Sequence, residues 1–195
     1  SISLIFKNII MLITIIGFNG FIGRELANFF KKKKIKVFPV TRKVNFLEIP
    51  KKTDVIIHAA NTGKKFLANK NPKIDHENSI NLTKKICKTF PKKKIILIST
   101  ISVRTEKNSY SKNRKICETI IANHSKENLI FRLPVLFNLR QKKGILYDMC
   151  LNKRISVDEN TFINPVTLYE AFSYILKNLN SKKIIHEIGS YEKIK

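Results

Sequence analysis

The 195-residue chain is 43% hydrophobic and carries 38 Lys and Arg against 14 Asp and Glu, a formal net charge of +24 at pH 7. That length and apolar content suit one domain with a full core of its own, and exclude a small scaffold dependent on disulfide staples. Its three cysteines, Cys87, Cys117 and Cys150, form no C-x-x-C pair and no metal spacing, so they read as reduced thiols of a cytoplasmic protein, with no metal site expected.

The charge raises the question of a nucleic-acid or anionic-membrane partner. The lysines are spread in short runs at 31–34, 51–52, 92–94 and 182–183, each where a helix is expected to end or a loop to begin. Lysine at a helix C-terminus is favoured by the macrodipole. No aromatic residues alternate with these runs as base stacking requires. The basic composition therefore reads as compositional drift on a solvated surface, and no specific nucleic-acid partner is expected.

Residues 1–10 read as an N-terminal extension, and Met11 begins a single domain expected over 11–195. The uninterrupted apolar run Ile9–Ile16 is far short of the roughly 20 residues that span a membrane, so no membrane partner is expected. From there, strand-length apolar runs alternate with amphipathic stretches. Strands are expected at Leu12–Ile16, Lys36–Val40, Val55–Ala59, Ile95–Ser99, Asn128–Leu133 and Ile184–Ile188; helices at Gly20–Lys32, Asn78–Phe90, Ser109–Asn123 and Leu168–Leu179. Short, continuous Ile- and Val-rich strands are buried on both faces. The alternation predicts an α/β fold, a parallel sheet with helices on both sides and right-handed crossovers.

Between the first strand and the first helix lies "IIGFNGFIGREL", with Gly17, Gly20 and Gly23 at G-x-x-G-x-x-G spacing. In this context Gly17 allows a tight turn, Gly20 lets the backbone approach a pyrophosphate, and Gly23 lets the helix pack on the strand; the helix start then faces the anion. A bare turn is the alternative reading of the spacing alone.

The loop is followed in order by "DVIIHAAN" (54–61), "IILISTISV" (95–103), "YSKNRKICE" (110–118), "FRLPVLFN" (131–138) and "INPVTLYEA" (163–171). With these segments the chain resembles the extended short-chain dehydrogenase/reductases, the NAD-dependent epimerase/dehydratase group that mostly acts on nucleotide sugars. The resemblance runs from about Met11 to about Gly189. It implies a Rossmann-type doubly wound parallel sheet. Relatives continue past the segment resembled by "HEIGS", so a truncated or absent C-terminal substrate lobe is expected, leaving a site open on one side unless a homodimer partner closes it.

The resemblance also assigns roles. Gly17, Asn19, Gly20, Phe21, Ile22 and Gly23 would hold the cofactor's phosphates. Relatives that favour NAD have an acid after the second strand; here Thr41 and Arg42 stand there, so of NADP and NAD the sequence favours NADP, with a plain surface arginine as the alternative. Ala59, Ala60 and Asn61 would let the cofactor pass, Ser99 would line it, and Pro134 would lie near the nicotinamide. His58 reads as a packed strand-end residue.

Thr100 stands at the position of the family's catalytic Ser/Thr, with capping of the strand end as the alternative. Tyr110 stands at that of the catalytic tyrosine, with Arg114 where the family has lysine. One helical turn apart, the cation would lie over the phenol and lower its pKa toward the working range. Lys112 and Lys115 fall off that face. Ser79 stands where relatives have Asn, which weakens support of the active site from that helix. Arg114→Lys would restore the family's usual cation, and activity is expected to hold or rise. These residues imply an NAD(P)-dependent oxidoreductase, epimerase or dehydratase acting on a small sugar-like alcohol or ketone; a domain that holds NAD(P) without turnover is the alternative.

Overall fold

In the computed structural model, which describes residues 11–61, 65–138, 145–153 and 164–189, the Ile- and Val-rich runs form the centre of the molecule. Strands β1 (Leu12–Ile16), β2 (Lys36–Val40), β3 (Val55–His58), β4 (Lys94–Thr100), β5 (Leu129–Leu133) and β8 (Ile185–Glu187) make one sheet in the order β2-β1-β3-β4-β5-β8. Every pairing in it is parallel. All six expected strands are present, with ends shifted by a residue or so. A second, two-stranded parallel sheet joins β6 (Leu136–Phe137) to β7 (Val166–Thr167).

Alternate residues of each strand feed two cores. On one face Ile13, Ile15, Ile57, Ile98 and Phe131 meet Leu26 and Phe30 of helix α1 (Phe21–Lys32) and, through the same core, Phe172 and Ile175 of α8 (Leu168–Lys177). On the other, Ile56, Ile95, Leu97 and Ile130 share a core with Ile86 of α4 (Leu82–Thr89) and with Cys117 and Ile121 of α6 (Ser109–His124). Burial on both faces explains why these strands lack polar alternation. The order reverses at β1: β2 lies on one side of it and every later strand of the sheet on the other. The C-terminal ends of β1 and β3 therefore flank a topological switch point, where open α/β sheets bind ligands.

Where the sequence reads one helix over 78–90, the chain forms a π turn (Glu77–Asn81) followed by α4, and a helix the sequence did not announce, α3 (Pro72–His76), runs directly into that turn. The Thr83 hydroxyl donates to the Ser79 carbonyl at 2.7 Å, and Asn78 Nδ2 to the Ile74 carbonyl at 2.9 Å. Side chains that bond the carbonyl four residues back accompany such irregular turns. Helices α2 (Lys65–Lys70), α5 (Ser102–Thr105) and α7 (Ile145–Cys150), and the 3-10 turn Phe46–Glu48, are too short to show a period in the sequence.

Among the described residues no helix is long and apolar enough to cross a membrane. The expected extension at 1–10 and the segment after Gly189 lie outside the described residues.

Candidate active site

At the switch point the glycine loop closes on the end of β3. Gly17 has φ +92°, and a Cβ there would lie 2.6 Å from both the Cα and the N of Ala60. Its amide and that of Phe18 donate to the Val40 carbonyl at 3.1 and 3.2 Å, tying the loop to the end of β2. At Gly23 a Cβ would lie 2.3 Å from the Gly17 carbonyl oxygen, so the first turn of α1 packs directly on the loop backbone, rather than on the strand. Both positions therefore require glycine sterically.

Gly20 differs. It is exposed, its φ of −71° suits any residue, and a Cβ would meet only the Gly17 oxygen, at 3.2 Å. The fold makes only a small demand for glycine at this position. Gly20 is also the N-cap of α1, which has no side-chain cap and no acid in its first turn. An anion fits such an end. Gly20→Val is expected to abolish dinucleotide binding in calorimetry while lowering the thermal midpoint only slightly; unchanged affinity would remove the loop from the site.

Tyr110 sits at the start of α6, which Asn108 caps by accepting from the Ser111 amide at 2.9 Å. The Tyr110 amide donates to Asn69 Oδ1 at 3.0 Å, anchoring this end to α2. One turn on, the Arg114 guanidinium carbon lies 5.1 Å from the centre of the Tyr110 ring. Arg114 is 2% exposed and held from three directions. One terminal nitrogen donates to Asn61 Oδ1, the other to Asp75 Oδ1 at 2.9 Å and to the Ser79 hydroxyl. Asn61 in turn donates to the Ile98 carbonyl at 2.9 Å. Lys112 and Lys115 are exposed, as their places on the helix predict.

Two expectations are corrected here. Ser79 does not weaken the helix's contribution to the site: with Asp75 it takes the Arg114 guanidinium. Nor does Arg114 bring the Tyr110 phenol down. Burial pushes the phenol up, Arg114 pulls the other way, and Asp75 and Glu106 push it up again, so it rests above the ordinary tyrosine value. The cation's pull is real, and an anion 2.9 Å from the guanidinium offsets it.

Thr100 ends β4 half-buried, and its hydroxyl oxygen accepts from the Ser102 amide at 3.2 Å, which leaves its proton free to donate. The neighbouring Ser99 hydroxyl donates to Glu118 Oε1 at 2.6 Å. Glu118 also accepts from Arg132 at 2.9 and 2.6 Å, and Arg132 reaches Glu187 at 2.7 Å. Ser99 is thus committed to a buried ion network that ties α6, β5 and β8 together. Pro134, just past β5, is half-buried. Beyond β2, Thr41 is half-buried and accepts from the Lys43 amide at 3.3 Å, while Arg42 is exposed.

A family model described as the NAD dependent epimerase/dehydratase family matches residues 13–119. The chain belongs to the NAD-dependent epimerase/dehydratase family. Solved structures agree on the fold. The dTDP-4-dehydrorhamnose reductase of Clostridium acetobutylicum is 18% identical with a TM-score of 0.77, covering 94% of this chain and 75% of that one. That of Bacillus anthracis, in complex with NADP, is 16% identical with a TM-score of 0.80, covering 96% and 77%. The UDP-glucose 4-epimerase of Thermus thermophilus, in complex with NAD, is 14% identical with a TM-score of 0.75, covering 94% and 79%. At these identities the likeness is one of fold. No curated protein matches the chain.

His58 stands at the end of β3 beside Ala59. It is fully buried, and its Nε2 meets the Thr83 hydroxyl at 3.0 Å. Burial, helped by the Arg114 charge, pushes its pKa down to about 3, so it is a packed, neutral strand-end residue. The unfolded chain takes up this proton near 6.5 and the folded one does not. Stability is therefore expected to fall as the pH drops from 6.5 toward 3, by about 1.4 kcal/mol per pH unit from this group. Urea midpoints at pH 7 and 5 should separate more in the wild type than in His58→Asn; equal separation would mean that His58 is protonated in the fold.

Proposed function

We propose that this chain is an NAD(P)-dependent oxidoreductase, epimerase or dehydratase acting on an alcohol or ketone of a nucleotide sugar, with residues 11–195 forming one dinucleotide-binding domain. The observation that carries the reading is a continuous run of contacts. Gly17 abuts Ala60, the next residue Asn61 bonds Arg114, and Arg114 lies one turn from Tyr110. On this reading a dinucleotide-binding loop and a proton-transfer residue are joined through one run of backbone and side-chain contacts. Family membership supports it, as do neighbours of the same fold whose names are nucleotide-sugar epimerases and reductases.

The loop residues Gly17, Asn19, Gly20, Phe21, Ile22 and Gly23 would hold the pyrophosphate, Thr41 and Arg42 the adenosine ribose, and Ala59, Ala60, Asn61 and Pro134 would border the rest. When bound, a nicotinamide supplies hydride exchange with a carbon of the substrate. Tyr110 gives or takes the proton at the substrate oxygen, Thr100 donates a hydrogen bond to the same oxygen and orients it, and Arg114 holds charge beside the phenol. The test is incubation with a panel of nucleotide sugars, following nicotinamide absorbance together with product analysis, because an epimerase recycles its cofactor and shows no net absorbance change. A cofactor-bound protein that yields no product with any of them would overturn the reading.

NADP is the proposed cofactor, because the exposed Arg42 stands next to Thr41 with no acid between Val40 and Val44 to bind a ribose hydroxyl. Arg42→Ala is expected to lose about 1–3 kcal/mol of NADP binding, the range for a charge-assisted hydrogen bond, and to leave NAD unchanged. Equal affinity of the wild type for both would count against the NADP preference.

A further inference from the structure

Asp75 has no part in the glycine loop or in the tyrosine segment, yet it is 1% exposed. A carboxylate is rarely kept in such a place without a partner that needs it. Its Oδ1 accepts from Arg114 at 2.9 Å and from Ser79 at 3.1 Å, and its Oδ2 accepts from Asn113 Nδ2 at 2.7 Å. Two of these three donors are consecutive residues of α6, so α3 grips α6 at the turn after Tyr110. Arg114 is the cation of its one ion pair among the described residues.

We propose that Asp75 is a positioning residue of the Tyr110 site: it fixes the Arg114 guanidinium beside the phenol and cancels its charge, so that Tyr110 faces a neutral pair instead of a bare cation. The inference rests on Tyr110 being the proton-transfer residue of the proposed function. The charged groups facing the phenol are Arg114 on its own helix, Asp75 on α3, and Glu106 just before α6, itself paired with Lys65 of α2. Removing Asp75 alone leaves the cation and makes the phenol more acidic. Removing Arg114 alone leaves an anion and makes it less acidic. Removing both leaves it nearly where it was.

The experiment is a pH titration of tyrosinate absorbance in the full chain, with Tyr110→Phe in each background subtracted to isolate Tyr110 from the other four of the five tyrosines. Asp75→Asn keeps the side chain's shape and loses its charge, and should move the Tyr110 transition down by roughly one pH unit or more. The alkaline or acid limb of the pH–rate profile set by Tyr110 should move the same way. The double variant Asp75→Leu/Arg114→Met carries the test if Asp75→Asn does not fold. Its transition should stay within about half a pH unit of wild type, the size expected of a cancelled pair. An unchanged or raised transition in Asp75→Asn, or a rise of roughly one unit or more in the double variant, would overturn the proposal. The absorbance titration needs no substrate, so it is read even if the nucleotide-sugar panel yields nothing.

Discussion

Tyr110→Phe is expected to lower turnover roughly 10²–10⁴-fold, the effect of losing a general acid or base, with dinucleotide affinity nearly intact. Phenylalanine keeps the ring 5.1 Å from the Arg114 guanidinium and leaves the backbone anchor to Asn69 in place, so packing is preserved and only the ionisable oxygen is lost. The loss should fall on kcat, because in the proposed reaction the phenol works on the reacting oxygen. Product analysis with the best substrate of the panel, beside calorimetry with the dinucleotide, checks it. A variant as fast as wild type would move proton transfer to another residue.

The sheet and the glycine loop were legible because their causes are local. Strands buried on both faces must be short and apolar, and Gly17 and Gly23 are fixed by backbone approaches under 3 Å within a few residues or across one strand pairing. The tyrosine turn was legible for the same reason, since Tyr110 and Arg114 are four apart. Asp75 was not. It lies in "NPKIDHENSIN", a polar stretch with no helical period, and its partner is 39 positions away. Ser79 and Arg114 each looked like a separate departure from the family pattern. In three dimensions they are one arrangement, in which the Ser79 hydroxyl and the Asp75 carboxylate together take one terminal nitrogen of the Arg114 guanidinium. The signal available was their joint occurrence, two departures that only make sense together. The Ser99–Glu118–Arg132 network was hidden similarly, its members being spread over three elements.

Arg114→Met is expected to cost about 3–5 kcal/mol of stability, because it strands the Asp75 carboxylate in the interior without its cation. For a chain of this size that is a fall in Tm of roughly 6–20 °C. Arg114→Lys tests what the cation's shape contributes. Judged by the family pattern alone it restores the usual residue, and activity should hold or rise. The cradle predicts the opposite. One terminal nitrogen of Arg114 serves Asn61, the other serves Asp75 and Ser79, and a lysine ammonium is a point charge that cannot meet both sets from a single position. Lysine would satisfy Asp75 and leave Asn61 without its donor, or the reverse, at about 1–3 kcal/mol for each buried group left unpaired. Thermal denaturation of the two variants should therefore rank wild type above Arg114→Lys and Arg114→Met lowest, with turnover of Arg114→Lys below wild type. The double variant Asp75→Leu/Arg114→Met should be more stable than Arg114→Met, since it removes the stranded charge along with its partner. If Arg114→Lys matches wild type in both Tm and turnover, the guanidinium's fork plays no part and charge alone is what position 114 supplies.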